Sequence, residues 1–156
     1  MEVFLIKRPD GLFELMDDEQ QELFKRFKIG SVIRCNFQEM RNGQFFKKWW
    51  ALAKVSFQIW VETVPNIEHK GVEVKPNFER FRKDLTIMAG HYEPTFNIKN
   101  ELRLDAKSLQ WSKMTEATFN ELYQDTITTV LQKVIPARNL TPEQLENWAN
   151  QTMEFA

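Results

Sequence analysis

The longest helical pattern in the chain lies at its centre. It begins at Asn42, a residue type favoured just before a helix, and continues to Val64 in front of Pro65. Its apolar side chains, many of them aromatic, are spread around nearly the whole circumference of a helix with about 3.6 residues per turn. Such a helix has to be buried on more than one side, so we expect a second subunit to cover part of the segment from Phe45 to Trp60.

The sequence before this helix favours short strands and one short helix. Glu2 to Arg8 and Leu12 to Leu15 alternate around the turn sequence Pro9-Asp10-Gly11, which predicts a hairpin. A short amphipathic helix is predicted from Asp17 to Gly30, with acidic residues at its start and glycine at its end. The alternating segment from Ser31 to Gln38 then predicts a third strand.

A loop and a second amphipathic helix are predicted after the central helix. The loop extends from Pro65 to Pro76, and the helix from its cap Asn77 to Gly90. In this helix the apolar and basic residues fall on different sides of the helical period. We therefore expect Phe78, Phe81 and Leu85 to face the sheet, and Arg80 and Lys83 to stay accessible to solvent.

The remaining sequence predicts a hairpin and two helices. Tyr92 to Ile98 and Leu102 to Leu109 alternate as strands, and Thr115 opens a helix that continues to about Val134. The last helix starts with the capping sequence Thr141-Pro142-Glu143-Gln144. No repeat or linker divides the chain. It is predicted to be a single domain over residues 1–156 of class α+β, in which a small antiparallel sheet packs against several helices, with a long aromatic central helix.

Composition narrows the cellular setting. No apolar run approaches the roughly 18 to 20 residues that a membrane-spanning helix needs, which predicts a protein without a membrane partner. The one cysteine, Cys35, has no second thiol for an internal disulfide, and its apolar neighbours indicate a small core residue. We therefore expect the protein in a reducing cytoplasm.

Enzymatic chemistry has little support in the sequence. His69 and His91 are the only histidines, and their spacing matches no helical metal-binding pair. No two glycines lie close enough to form a phosphate-binding loop, and the carboxylates Asp84, Glu93 and Asp105 have no spacing that indicates acid–base or two-metal catalysis. We predict a protein that is not an enzyme and that uses no metal and no cofactor, although clustered carboxylates of a nuclease would be visible only in a structure.

The near-neutral net charge of −1 conceals a basic middle segment. Residues 41–83 carry nine Lys and Arg against four Asp and Glu, whereas the segments on either side are acidic. This basic segment is also the most aromatic part of the chain. Sites for single-stranded nucleic acid combine cations that hold phosphates with aromatic faces on which bases stack. The candidate DNA-binding residues are Arg41, Lys47, Lys48, Trp50, Lys54, Arg80 and Lys83.

An alternative interpretation is that the aromatic residues are all core and the lysines extend from its edge. For Phe45, Phe57 and Trp60 we prefer the core interpretation. Trp50 follows two lysines and lies on a different side of the helix from Trp49, so either a buried position or the rim of a groove or subunit contact is open to it.

Three segments carry a resemblance to known proteins. The runs RCNFQEMRNGQFFKKWWALAKVSFQIW, FERFRKDLTIMAGHYEPTFNIKNELRLDAKSLQWSKM and FNELYQDTITTVL resemble an uncharacterised family of bacteriophage and prophage proteins. The segment from Arg41 to Ala51 is more distantly similar to the NinB (Orf) phage recombination proteins, through Lys47, Lys48 and Trp50. That similarity implies a homodimer that prefers single-stranded DNA and assists the loading of recombinase onto strands coated by the host single-strand binding protein.

Two hypotheses of different class follow. The first is a phage-encoded, non-enzymatic, sequence-nonspecific single-stranded DNA-binding protein that assists recombination or replication in the host bacterial cytoplasm. The second is a phage protein-interaction factor that inhibits or modulates a host or defence complex, with the acidic ends and the aromatic helix as docking surface. Salt separates them, since DNA binding weakens steeply as counterions are added and hydrophobic docking does not.

Overall fold

The computed structural model describes residues 3–15, 21–22, 24–37 and 43–154. Contacts divide the chain into two compact units, Met1–Gln38 and Glu39–Ala156. The single domain over residues 1–156 stays a prediction. Within the described ranges, no helix is long and apolar enough to cross a membrane.

The N-terminal unit contains the predicted opening hairpin. Strand β1 (Leu5–Lys7) pairs antiparallel with β2 (Phe13–Leu15). The turn between them passes through Gly11, whose φ of 86° lies in the left-handed region that glycine adopts without strain. Residues 21, 22 and 24 are helical, inside the predicted short helix, whereas its acidic start lies outside the described residues.

The third predicted strand is wrong. Residues 31–37 form neither strand nor helix, and Val32 is fully exposed. Cys35 is exposed as well, so its interpretation as a core residue is also wrong. Alternation of apolar and polar residues favours a half-buried strand, but a strand also needs a neighbour to pair with. Within the described ranges no strand pairs with this segment.

The second unit is built around the predicted central helix, α1 (Gly43–Val61). It contacts the three other long helices: α2 (Phe78–Met88), α3 (Glu116–Thr129) and α4 (Pro142–Glu154). These contacts bury nine of its residues, from Phe46 to Ile59. The chain itself therefore supplies the cover that the all-round apolar pattern requires, and the burial of α1 does not call for the second subunit that we expected there.

Helix α2 confirms the predicted register. Asn77 caps it by accepting a hydrogen bond from the backbone N–H of Arg80 at 2.8 Å. Phe78, Phe81 and Leu85 are buried, whereas Arg80 and Lys83 are exposed. The buried side packs against α1, α3 and one strand, so most of its cover is helical where we had predicted a sheet.

The two C-terminal helices begin where their caps predict. Thr115 accepts a hydrogen bond from the N–H of Thr118 at the start of α3, and Thr141 and Gln144 form the reciprocal capping pair at the start of α4. The helix reaches Val134 as predicted, but its α-helical part ends at Thr129 and the residues Val130–Val134 form a π-helical turn. Such turns are rare and occur often at functional sites.

The strands form three separate antiparallel hairpins in the described part of the chain, which confirms the α+β class. In the second unit, β3 (Ile67–His69) pairs with β4 (Val72–Val74), and β5 (Tyr92–Phe96) pairs with β6 (Leu102–Ala106). The first of these lies inside the segment from Pro65 to Pro76, so the loop predicted there is wrong. Its strands have only three residues each, too short for an alternating pattern to stand out.

One polar contact joins α1 to α3 inside the core. The indole Nε1 of the fully buried Trp49 donates to the hydroxyl of Thr126 at 3.0 Å, and that hydroxyl donates to the carbonyl of Leu122 at 2.7 Å. Both ends of the bond are shielded from water. An unmatched donor or acceptor at this position would carry a full desolvation cost.

We predict that Thr126→Val destabilises the protein by about 1 to 3 kcal/mol, because the buried Trp49 N–H loses its acceptor while the volume is kept. Thr126→Ser is the control, since it keeps the hydroxyl and loses only a methyl group. Urea denaturation followed by tryptophan fluorescence measures both free energies of unfolding. Equal stability of Thr126→Val and the wild type would contradict the assignment of this bond.

Candidate binding groove

The sequence-predicted site residues of α1 are partly engaged inside the molecule. The Lys48 ammonium lies 4.5 Å from the centre of the Tyr123 ring and 3.8 Å from Glu146 Oε1. Lys47 and Lys54 are half-buried, and Arg41 lies outside the described residues. Among the described residues, no carboxylate forms an ion pair with Lys47. Of the two adjacent lysines, Lys48 is thus held by α3 and α4, and Lys47 is the one with an available ammonium.

Trp50 is a core residue. Only 4% of it is exposed, and its ring stacks on Phe46 with 5.1 Å between centroids. Phe78 of α2 meets the ring edge to face at 5.6 Å, and the Arg82 guanidinium lies 5.3 Å from its centre. A base cannot reach a ring enclosed in this way. The prediction that Trp50 stacks on DNA is therefore wrong, because α2 covers the side of α1 that the sequence left open.

The basic residues of α2 pair with acidic residues of the same helix. Arg80 contacts Asp84 through two nitrogens, each at 3.1 Å, and Lys83 lies 3.8 Å from Glu79. Both arginine and lysine are exposed, so these pairs contribute little to stability. They do lower the net positive charge of this helix face.

A groove of about 460 Å³ brings basic and aromatic side chains together elsewhere in the second unit. It lies between the last turn of α1, one side of α2, the segment from Val74 to Asn77 and the π-helical turn. Of the sequence-predicted site residues, Arg80 lines this groove and the described α1 candidates do not.

The groove has an apolar lining. Trp60 and Phe81 contact each other with 5.1 Å between ring centroids, and Trp60 is half-buried. Because Trp60 lies in the last turn of α1, the helices that enclose the earlier tryptophans leave part of it uncovered. The other apolar lining residues are Val74, Pro76, Leu85, Met88 and Val134.

Three cations border this lining: Lys75, Arg80 and Lys133. Asp84 is the one acidic residue among the lining residues, and it is already paired with Arg80. Neither Lys75 nor Lys133 forms an ion pair with a described residue. The groove therefore carries a net positive charge and suits an anionic ligand with flat or apolar parts.

Sequence reasoning missed most of this site. Lys133 belongs to an acidic segment and reaches the groove through the π-helical turn, which no sequence pattern indicated. Trp60 had been interpreted as core. The sequence contains one signal for this groove, the run Lys75-Pro76-Asn77. Because Asn77 is a helix cap, a lysine two residues before it has to lie close to the first turn of α2.

The described residues contain no group of three or more His, Cys, Asp and Glu side chains able to hold a metal ion. His91 instead makes a structural contact: its Nε2 lies 3.1 Å from Asp125 Oδ2. This contact ties the segment between α2 and β5 to α3.

Tyr123 is the most perturbed titratable group in the described ranges. Its hydroxyl is buried, and no hydrogen-bond partner lies within reach among the described residues. Burial raises the pKa of Tyr123 well above its usual value of 10.0, and the nearby charge of Glu146 raises it further.

We predict that Tyr123→Phe leaves stability at neutral pH unchanged or raises it by about 1 kcal/mol, because it removes a buried hydroxyl without a partner. In the wild type, the unfolded tyrosine loses its proton near pH 10 while the folded one keeps it, so stability falls as the pH rises above about 10. The variant lacks this loss. Urea denaturation at about pH 8 and about pH 10.5 measures the difference.

Tyr92→Phe is the control, because it removes the hydroxyl of a tyrosine that is exposed in the folded protein. A Tyr123→Phe variant whose stability falls with pH as steeply as that of the wild type would refute the burial of this hydroxyl.

Neither the curated proteins nor the solved structures include a match to this chain. A protein family does match, over residues 1–69 and 61–155, which together span nearly the whole chain. The chain belongs to the family described as "Protein of unknown function (DUF1367)".

Proposed function

We propose that the protein is a non-enzymatic, sequence-nonspecific binder of single-stranded DNA, and that the groove is where the strand lies. The observation that carries the proposal is the placement of three cations around an aromatic and apolar lining. The proposal extends to a phage-encoded protein that assists recombination or replication in the bacterial cytoplasm.

The groove offers what a single strand needs. Lys75, Arg80 and Lys133 supply charge for phosphates, and a base can lie on the uncovered part of Trp60. Stacking of this kind does not depend on sequence, because every base has a flat face. A duplex keeps its bases stacked inside and would gain only the phosphate contacts. The site therefore favours single strands.

Arg80 can contribute although it is paired. The Arg80–Asp84 pair is exposed, and exposed pairs of this kind are worth about 0 to 1 kcal/mol. A phosphate can therefore share or replace the carboxylate at little cost. With three cations in contact, the logarithm of the binding constant should fall with the logarithm of salt concentration at a slope of about −2.

The proposed setting follows the resemblance of the segment from Arg41 to Ala51 to NinB proteins. If that resemblance extends to function, the protein acts as a homodimer, and its partners include the host single-strand binding protein or recombinase. In that setting weak, sequence-independent binding of the strand is sufficient, because the partner proteins make further contacts with the same strand.

A protein-interaction function is the second candidate, favoured by the apolar residues that the hairpins of the second unit expose. Ile67, Val72 and Val74 on one hairpin and Phe96 and Leu102 on another are all exposed. Apolar clusters of this sort often mark contact sites for other proteins. Binding of a host protein that is insensitive to salt, together with no binding of single strands, would favour this candidate.

We predict that Lys75→Ala combined with Lys133→Ala weakens binding of a labelled single strand for all sequences alike. The salt slope should flatten by about 1.4, because two phosphate contacts are lost. Fluorescence anisotropy at several salt concentrations measures both quantities. The matched control is Lys7→Ala combined with Lys28→Ala, two exposed lysines of the N-terminal unit. Equal losses in the two double variants would contradict a site in the groove.

We predict that Trp60→Leu costs about 1 to 3 kcal/mol of single-strand binding and leaves the salt slope unchanged, since stacking releases no counterions. Leucine keeps an apolar side chain in the groove. Trp148→Leu is the control, because Trp148 is an exposed tryptophan of α4 outside the groove. Thermal melts of both variants show whether a binding loss reflects unfolding. A folded Trp60→Leu protein with wild-type affinity would remove Trp60 from the site.

A further inference from the structure

The β5–β6 hairpin has one apolar and one polar face. Its register places Tyr92 opposite Ala106, Pro94 opposite Leu104, and Phe96 opposite Leu102. Since opposed residues share a face, these six side chains form one surface without a charge. Phe96 and Leu102 are each 73% exposed and Leu104 is 41% exposed, so much of that surface lies in water.

The outer edge of β6 carries backbone groups that could pair with a further strand. The bonds from Asn97 N to Glu101 O and from Lys107 N to His91 O show that odd-numbered residues pair within the hairpin. The backbone groups of Leu102, Leu104 and Ala106 therefore point away from β5. No other described residue forms a backbone hydrogen bond with these groups. On the opposite edge, Pro94 of β5 lacks an N–H, so that edge offers one hydrogen-bond donor fewer to a further strand.

The charges of β6 are complementary to a second copy of the same strand. Around a two-fold axis at Leu104, an antiparallel copy places Arg103 opposite Asp105 of the partner subunit, and Asp105 opposite Arg103 of the partner subunit. Leu104 meets Leu104 of the partner subunit. Moving the axis to Arg103 would oppose arginine to arginine, so charge selects the register centred on Leu104.

Within the hairpin alone, Asp105 has an unfavourable electrostatic environment. Its cross-strand neighbour is Glu93, and like charges directly opposite each other are destabilising. A two-stranded hairpin is also marginal by itself, whereas a sheet of three or more strands with an apolar face is stable. A second copy of the hairpin would relieve the charge repulsion, because it brings an arginine opposite Asp105. It would also stabilise the strands, because the two apolar faces join in one four-stranded sheet.

We propose that the protein forms a homodimer through antiparallel pairing of the two β6 strands, centred on Leu104. This interface is separate from the groove and does not depend on DNA binding. The contact is small for a protein interface, so the dimer dissociates in the micromolar range. Helix α2 also contacts β6, and exposure falls from Leu102 toward the half-buried Ala106, so the tip of the strand is its most accessible part.

The test uses single charge reversals. Arg103→Asp alone opposes two acidic residues in each pair, and Asp105→Arg alone opposes two arginines. In sedimentation at tens of micromolar, each variant should associate roughly tenfold or more weakly than the wild type. An equimolar mixture of the two single variants restores both opposite-charge pairs and should form a heterodimer. The double variant Arg103→Asp with Asp105→Arg also restores both pairs and should form a homodimer. Circular dichroism of each variant verifies folding.

A wild-type protein that sediments as a monomer at these concentrations overturns the proposal. So does a mixture that associates no better than its components, because misfolding or a different interface would not be rescued by the complementary reversal. Each variant is also titrated with a labelled single strand too short to contact two grooves. Retained binding there with lost association separates a failure of this interface from a failure of the proposed DNA-binding function.

Discussion

The burial of α1 is the constraint on which the second unit depends. A 19-residue helix with apolar side chains around most of its surface can be stable only when several elements cover it. Helices α2, α3 and α4 do so from different sides. Aromatic contacts join them, for example Phe45 with Phe119 at 4.3 Å. Cover decreases at the last turn of α1, and there Trp60 becomes part of a groove lining.

Features with local causes could be predicted from the sequence. Asn77, Thr115 and Thr141 are helix caps because their short polar side chains accept a bond from a backbone N–H three residues later, which needs no distant partner. The buried side of α2 could be predicted because the spacing of its own apolar residues follows the helical period. The Tyr92–Phe96 and Leu102–Ala106 hairpin is likewise formed by neighbouring residues, so its alternation was sufficient.

Features that depend on distant residues could not be predicted. The segment from Ser31 onward alternates like a strand, but its neighbours in space decide whether it pairs. Trp50 is buried because α2, nearly thirty residues later, packs on it. The charge sum of residues 41–83 was likewise incomplete as a guide, since Asp84, one residue beyond that segment, offsets Arg80, and Lys133 joins the groove from an acidic segment.

The proposed strand-binding groove and the proposed β6 interface have related consequences. Three cations and one aromatic side chain would make few contacts with a single strand, so one groove would bind weakly and lose affinity quickly as salt rises. A dimer joined through β6 would present two such grooves. A strand long enough to contact both would meet the second groove at a high effective concentration, and affinity would rise without any new type of contact. With a small dimer interface, the local protein concentration would then control how tightly a strand is bound, because the dimer would form only where the protein accumulates.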